Sequence, residues 1–579
     1  MADPQIELGA RVAAAIVDGF GDEWAGVDPV IRRSDFGDYQ ANVAMGLAKT
    51  LGRAPRDVAA RIAAHLDVGD ICETAQVSGP GFVNLTLRGD WIASKASELL
   101  ADVRLGVPPA TRPETTVVDY SAPNVAKEMH VGHLRATIVG DAITRVLGFL
   151  GHRVIRQNHV GDWGTPFGML IEHLVDVGEG QAVAELSTGD LTAFYQQARA
   201  KFEADEGFAD RARRRVVALQ RGEPATLRLW QVLVEGSERY FTTVYERLGV
   251  LLTRSDSDPE SFYNPMLPEV AAELEAAGLT TVSEGALCVF PPGFSSRDGR
   301  PLPLIVRKRD GGYGYSATDL AAVRFRTRKL GASRLVYVVG APQALHLTMV
   351  FAVARQAGWL HPERSRAEHA TVGSVLDADG KMLRTRSGRP IKLAALLDEA
   401  VERAAGLLAG RAELGSGTRA AVARAVGIGA VKYADLSYHR ERDYVFDWER
   451  MLSLDGNTAP YLQYANTRIH SIFRRAGGDP SEVAGTRLLL RHPAERALAL
   501  KLLGFDGVIR STADTLEPHR LCTYLYELAT GFTGFYECCP VLGAEDEAVT
   551  RSRLALCAVT SRILEKGLDL LGIEAPQEM

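Results

Sequence analysis

The chain has 579 residues, too many for one ordinary core, so about two to four domains are expected. An apolar content of 46% and a charged content of 24% are those of a globular protein. The apolar runs are too short for a transmembrane helix, the acidic start "MADPQIELGARVAAAIVDGFGDE" is unlike a signal peptide, and the net charge of −6 argues against indiscriminate nucleic-acid binding.

In chain order, residues 1–110 read as a small α+β unit. Helical patterns run through "ELGARVAAAIVDGF" and "APRDVAARIAAHL", and "AQVSGPGFVNLTLR" reads as two strands around a Gly-Pro-Gly turn. The proline-rich "GVPPATRPE" is a plausible linker. From 111 to 400 strands alternate with helices: "TTVVDY", a long amphipathic helix, then "RVIRQNHVGDWG". A charged helical stretch near 175–250 reads as an insertion. Strand-like segments return at "CVFPPG", "LPLIVRKRDGG", "RLVYVVGA" and "ATVGSVLD". Alternation of this kind predicts a mostly parallel sheet with its ligand site at the strand C-termini. From 401 to 579 strand signals vanish and amphipathic helices take over.

Six cysteines (Cys72, Cys288, Cys522, Cys538, Cys539 and Cys557) show no C-x-x-C spacing. Adjacent Cys538 and Cys539 are poorly placed to bridge, so a reducing cytoplasm and no structural zinc are expected. Two basic runs, "RARRRVVALQR" and "RFRTRKLGASR", are read first as solvated helix faces.

The chemistry concentrates at "AKEMHVGHLRATIVGDAITRVLGFLGH". Leu134, Ile138, Ala142, Val146 and Leu150 recur every four residues, and Gly151 suits a helix end, so this is a buried helix. Its N-terminus would present free N–H groups and a positive dipole end to an anion. His130 and His133 could donate to phosphate oxygens, and Gly132 would let a nucleotide approach. With 13 His and 56 Gly in the chain, chance supplies about 0.03 occurrences of H-x-G-H. The plainer alternative is a pair of capping histidines.

These residues carry a resemblance. HVGH after a first strand resembles the HIGH signature of class I aminoacyl-tRNA synthetases. Longer stretches resemble the arginyl-tRNA synthetase family: "SAPNVAKEMHVGHLRATIVGDAITRVL", "NHVGDWGTPFGMLIEHL", "GGYGYSATDLAAVRFR", "LSLDGNTAPYLQYANTRIHSI" and "GLDLLGIEAPQEM". The resemblance covers essentially the whole chain. It implies a multidomain α/β architecture: an N-terminal domain (1–110) touching the outer corner of tRNA, a Rossmann-type parallel-sheet catalytic domain (111–400), and an all-α anticodon-binding domain (401–579). It implies ATP with Mg2+, L-arginine and tRNA(Arg) as partners, a cytoplasmic monomer, no membrane, and adenylate formation that requires bound tRNA.

Site residues follow from the same resemblance. His130, Gly132 and His133 would meet ATP, as would His346 after "VYVVGAPQAL". The second class I signature is matched by "DADGKMLRTRSG", with Lys381 and Met382 in register but Arg384 where a second lysine would stand. Lys127 is the residue implied to compensate; the bland reading of Lys381 is a solvated loop lysine. Carboxylates suit a guanidinium fork, and "YSATD" sets Tyr315 and Asp319 four apart on one helical face. Ser316 and Asp319 also fit a capping box, which leaves both readings open. Gln343 in "GAPQ" matches a substrate position, Asp119 and Asn124 would meet arginine's backbone groups, and Glu260 in "ESFY" is a weaker pocket candidate. Ala122 stands where the family often has Ser. Tyr461, Tyr464 and Arg468 could stack on anticodon bases, against the alternative that both tyrosines are core, with Leu462, Ile469 and Phe473 facing inward. No metal ligand set is visible. Two rival readings remain: another nucleotidyl-transfer enzyme, which would not need the helical C-terminal domain, and a non-catalytic tRNA-binding relative.

Overall fold

The computed structural model describes residues 3–164, 166–180, 191–385, 390–409, 415–544 and 546–579. Part of the 175–250 stretch and the end of the basic loop, at 386–389, therefore lie outside the described residues.

The N-terminal unit is α+β, as its patterns predict. Helix α1 (Pro4–Phe20) starts where the Asp3 side chain accepts from the Gln5 amide and Pro4 fills the first turn, where no N–H is needed. It buries Leu8, Val12 and Ile16. Strands β1 (Ile31–Arg33), β2 (Tyr39–Ala41), β3 (Cys72–Ser78) and β4 (Phe82–Leu87) form an antiparallel sheet in the order β1-β2-β4-β3. Helices α2 (Val43–Leu51), α3 (Pro55–His65) and α4 (Gly89–Ala101) complete this unit.

The central sheet is wholly parallel, in the order β11 (Arg366–His369), β10 (Arg334–Val338), β5 (Thr115–Tyr120), β6 (Arg153–Gln157). Sequence order runs outward in opposite directions from β5 and β10, so the strand order reverses between them. That is where a crevice opens beyond the strand C-termini. Helix α5 (Val131–Phe149) lies directly on β5. A Cβ on Gly140 would sit 2.3 Å from Tyr120 Cβ, so only glycine permits this approach. Its predicted apolar positions are all buried, and Gly151 follows it at φ +86°.

Two predicted strand segments do not join this sheet. "CVFPPG" and "LPLIVRKRDGG" supply β8 (Ala286–Val289) and β9 (Leu304–Arg307), which pair antiparallel with β7 (Thr280–Ser283). The cause is the two-residue turn Glu284–Gly285, with φ of +51° and +80°. Such a turn makes a hairpin, which can only be antiparallel.

The 175–250 stretch continues α6 (Pro166–Val177) into helices Leu191–Ala204, Glu206–Gln220 and Pro224–Leu248. Its basic run is a surface face: Arg211 and Arg215 pair with Glu172, and Arg213 with Asp210. The other run is not. Arg326 in "RFRTRKLGASR" is wholly buried.

Beyond residue 392 the described chain is helical except for β13 (Tyr444–Val445), too short to leave a sequence signal, which pairs in parallel with β12 (Val375–Leu376). Buried ion pairing joins this part to α5: Arg135 Nε meets Asp435 at 2.9 Å, with both side chains at most 1% exposed. All six cysteines are free. No described helix is long and apolar enough to cross a membrane.

Candidate active site

The histidine pair sits at the crevice, on the N-terminus of α5, and it caps the helix. His130 Nδ1 accepts the Gly132 amide at 3.1 Å, and His133 Nδ1 accepts the His130 amide at 3.1 Å. The Val131 amide goes to Ile391 O and the His133 amide to His130 O. The expectation of free amides at this terminus is therefore corrected: those of Val131, Gly132 and His133 are all taken. The capping reading is shown, and because it uses only Nδ1 it does not exclude the ligand reading. With each Nδ1 accepting, a neutral imidazole carries its proton on Nε2, which makes Nε2–H an outward donor. Burial, with Lys127 beside it, lowers the His130 pKa. Burial, then His130 and Lys127, pushes that of His133 to about 4. Both rings are thus neutral at pH 7, their centroids 4.1 Å apart. Gly132 has a nearer duty than admitting a nucleotide: a Cβ there would lie 2.8 Å from His130 Cε1.

An acidic cluster occupies the other flank. Helix Tyr315–Arg328 begins at Gly314 with no side-chain cap, so Ser316 and Asp319 form no capping box. Asp319 is instead available to the crevice, its Oδ2 2.6 Å from His346 Nε2. Tyr315, 66% exposed, stands edge-on to the His346 ring. His346, expected beside the nucleotide, thus joins the acidic cluster. Glu260 opens the turn Glu260–Met266, its amide bonded to Val160 O. Burial, then Asp162 and Asp319, raise the Glu260 pKa to about 7. Asp162, buried in the loop after β6, accepts from the Ser261 amide at 2.9 Å and from Ser261 Oγ at 2.5 Å, and burial raises its pKa to about 6. Glu260 and Asp162, the latter absent from the sequence-based candidates although "GDWG" lies in a quoted stretch, thus share this cluster with Asp319.

The remaining candidates separate. Asp119, at the C-terminal end of β5, is 4% exposed and bonds the buried Arg326 Nη2 at 2.7 Å. Arg326 Nε also donates to Gln157 Oε1 at 2.6 Å, and its guanidinium lies over the Tyr337 ring. Asn124 is exposed and bridged to Gly161, and Gln343 is exposed in the turn Ala341–Gln343.

Lys381 and Met382 lie on a hairpin. Leu376 pairs with Met382, the Asp377 amide donates to Lys381 O, and the Lys381 amide donates to Asp377 Oδ1. The loop's exit is tied to the histidine segment: Leu393 N–H bonds Met129 O, and Lys392 pairs with Glu128 at 2.9 Å. Lys127 places its ammonium 4.7 Å from the Tyr195 ring centroid.

On helix Ala459–Ala476, Leu462, Ile469 and Phe473 are buried as expected. Tyr461, Tyr464 and Arg468 are half-buried, neither core nor free. The Arg468 guanidinium stacks between the rings of Tyr464 and Tyr536, and Tyr461 lies against Tyr526.

Among the described residues, no group of three His, Cys, Asp or Glu side chains is placed to hold a metal.

Comparison with known proteins accounts for the whole chain. Residues 95–448 match the model for the catalytic domain of class I tRNA synthetases (R), residues 462–579 the DALR anticodon binding domain, and residues 7–87 the arginyl tRNA synthetase N terminal domain. The chain is 60% identical over its full length, and that of the relative, to the arginine–tRNA ligase of Thermobifida fusca. It is 48% identical, again over both full lengths, to that of Synechococcus elongatus. Among solved structures, the arginyl-tRNA synthetase from Plasmodium falciparum superposes with a TM-score of 0.84 at 30% identity, covering 99% of each chain. With a parallel-sheet crevice, a histidine-capped helix and an acidic pocket in one chain, these matches show that it belongs to the class I arginyl-tRNA synthetase family, the arginine–tRNA ligases.

Proposed function

We propose that this crevice activates L-arginine with ATP and passes the arginyl group to the 3′ end of tRNA(Arg), activation requiring bound tRNA. An arginine carboxylate oxygen attacks the α-phosphorus, the α–β phosphoanhydride bond breaks, and pyrophosphate leaves. A tRNA hydroxyl then displaces AMP from the arginyl carbonyl. No covalent enzyme intermediate is needed, so positioning and charge stabilisation supply the catalysis.

The observation that carries this reading is the acidic cluster: the charges acting on Glu260 are those of Asp162 and Asp319, both negative. Bringing carboxylates together in a buried pocket is unfavourable until a cation enters, and a guanidinium fits them as a planar fork. Glu260 and Asp319 take the guanidinium, with Tyr315, Gln343 and His346 around it, and Asp162 holds the Glu260 turn through Ser261. Asn124 meets the arginine ammonium, while Asp119, fixed by Arg326, lies behind the loop that carries it. The Nε2–H groups of His130 and His133 serve the α-phosphate, and Lys127 and Lys381 the departing pyrophosphate, with Met382 beside it. Among the described residues no cluster is placed for Mg2+, which arrives on the ATP phosphates. Tyr461, Tyr464 and Arg468 form a stacking surface for anticodon bases. The enzyme works as a cytoplasmic monomer, its domains dividing near residues 110 and 400.

Arginine-dependent ATP–pyrophosphate exchange, with and without tRNA, tests this. Exchange with tRNA and its loss without tRNA is the expected result. Equal exchange in both overturns the coupling, and no exchange with arginine in either overturns the reaction.

A further inference from the structure

The loop from β5 to α5 is strained and held from more than one side: Gly161 O accepts the Val125 amide at 2.9 Å, Pro123 O the Gly161 amide at 3.1 Å, and Tyr120 O the Ala122 amide at 3.2 Å. Ser121, Ala122 and Ala126 have φ of +77°, +46° and +58°, a region that side chains with a Cβ avoid. Three such residues within six persist only where the surroundings impose them. Further side-chain bonds to this loop come from the Pro224–Leu248 helix, the last helix of the stretch read from sequence as an insertion.

Two hydroxyls of that helix reach the two ends of the loop. Tyr245, 4% exposed, sets its hydroxyl 2.7 Å from Ser121 Oγ, and accepts from Asn158 Nδ2 at 3.0 Å. Asn158 Oδ1 in turn accepts the Ala122 amide at 3.0 Å. Ser121 Oγ lies 2.9 Å from Thr137 Oγ1, which donates to His133 O at 2.7 Å. The hydroxyls of Tyr245, Ser121 and Thr137 thus form one connected run from Asn158 to the His133 carbonyl. At the far end, Ser237, fully buried, accepts the Ala126 amide at 2.9 Å and donates to Leu233 O at 2.9 Å. Eight residues apart on one helix, these hydroxyls are separated by about 12 Å along its axis.

We propose that Tyr245 and Ser237 are positioning residues for the reaction: their hydroxyls clamp loop 121–126 in its left-handed form and so set Asn124, Lys127 and the His130–His133 pair in place. Neither touches substrate. This rests on the arginine-activation reading for its consequence, and on hydrogen bonding alone for the clamp. Removing either hydroxyl strands a buried donor or acceptor and frees the loop to relax.

The test uses the full chain with Tyr245→Phe, Ser237→Ala and Ser237→Thr. Hydrogen exchange at the Ala122 and Ala126 amides reads the clamp directly, whatever the reaction. Arginine-dependent exchange kinetics with tRNA read its consequence. Tyr245→Phe is expected to speed exchange at Ala122, and Ser237→Ala at Ala126, by about tenfold or more, with kcat falling about tenfold to a hundredfold and KM for tRNA unchanged. Ser237→Thr keeps the hydroxyl and should match the parent protein. Parent-like protection of both amides in the two deletion variants overturns the clamp, even in a protein without exchange activity. Protection lost evenly across the sheet and helix, with kcat retained, also overturns it by making the role merely structural. If Tyr245→Phe fails to fold, the Ser237→Ala and Ser237→Thr pair decides alone.

Discussion

The two flanks of the crevice solve opposite electrostatic problems. At the α5 N-terminus the ligand-facing groups are neutral: two imidazoles whose Nδ1 atoms are occupied by backbone amides, with the His133 pKa pushed down to about 4. In the acidic pocket carboxyl groups are crowded, with Glu260 raised to about 7 beside Asp162 and Asp319, so that full ionisation awaits a cation. A neutral donor can follow charge as it builds on a phosphate without holding the product too tightly. A guanidinium stays protonated in all accessible conditions, so its site must supply the countercharge itself. Under the proposed reading, the difference teaches that the histidine flank suits a charge that changes and the acidic flank one that does not.

Substitutions at the two flanks should therefore fail differently. Asp319→Ala removes half of the fixed countercharge and the His346 partner. We expect KM for arginine to rise about a thousandfold while KM for ATP stays within about twofold, measured by ATP–pyrophosphate exchange with tRNA. A parallel rise in both constants would break the division between flanks. His133→Ala removes the cap on the His130 amide and, under the proposed reading, a donor to the phosphate. Here kcat should fall about a hundredfold with KM for arginine nearly unchanged. A loss confined to KM would place His133 outside the transition-state contacts.

The same two regions differ in how much of them the sequence revealed. The histidine pair was visible because strand, turn and helix are adjacent in the chain, so HVGH could be placed on a helix N-terminus. One-turn spacing brought Tyr315 and Asp319 together but left a capping box equally open, and the family resemblance favoured the pocket. Asp162, Arg326 and Tyr245 were not, because each acts across a long separation: Tyr245 meets Ser121 over 124 residues, and no local period encodes such a meeting. The state of the helix terminus was also hidden, because the imidazoles that mark the site are the groups that consume its amides. The antiparallel β7–β8–β9 sheet was misassigned because strand character was read and the Glu284–Gly285 turn was not.

The smallest effect is a pH dependence confined to the acidic flank. Burial, then Asp162 and Asp319, lift Glu260 above its ordinary value to about 7. For an acid, a raised folded-state pKa means that the empty pocket binds its proton more tightly than the unfolded chain does. Its contribution to stability is therefore fully present at low pH and is lost as pH rises from the ordinary glutamate value through 7. Arginine reverses the sign, since a guanidinium favours the ionised carboxylate. Lowering the pH from 8 to 6 should thus weaken arginine binding about tenfold, and the thermal shift on adding arginine should be larger at pH 8 than at pH 6. Glu260→Gln should flatten that dependence, while ATP binding keeps the parent profile. An arginine shift in Glu260→Gln that still grows with pH would move the titration to Asp162, raised to about 6 by burial; a pH-independent shift in the parent protein would remove the crowded-carboxylate account of the pocket.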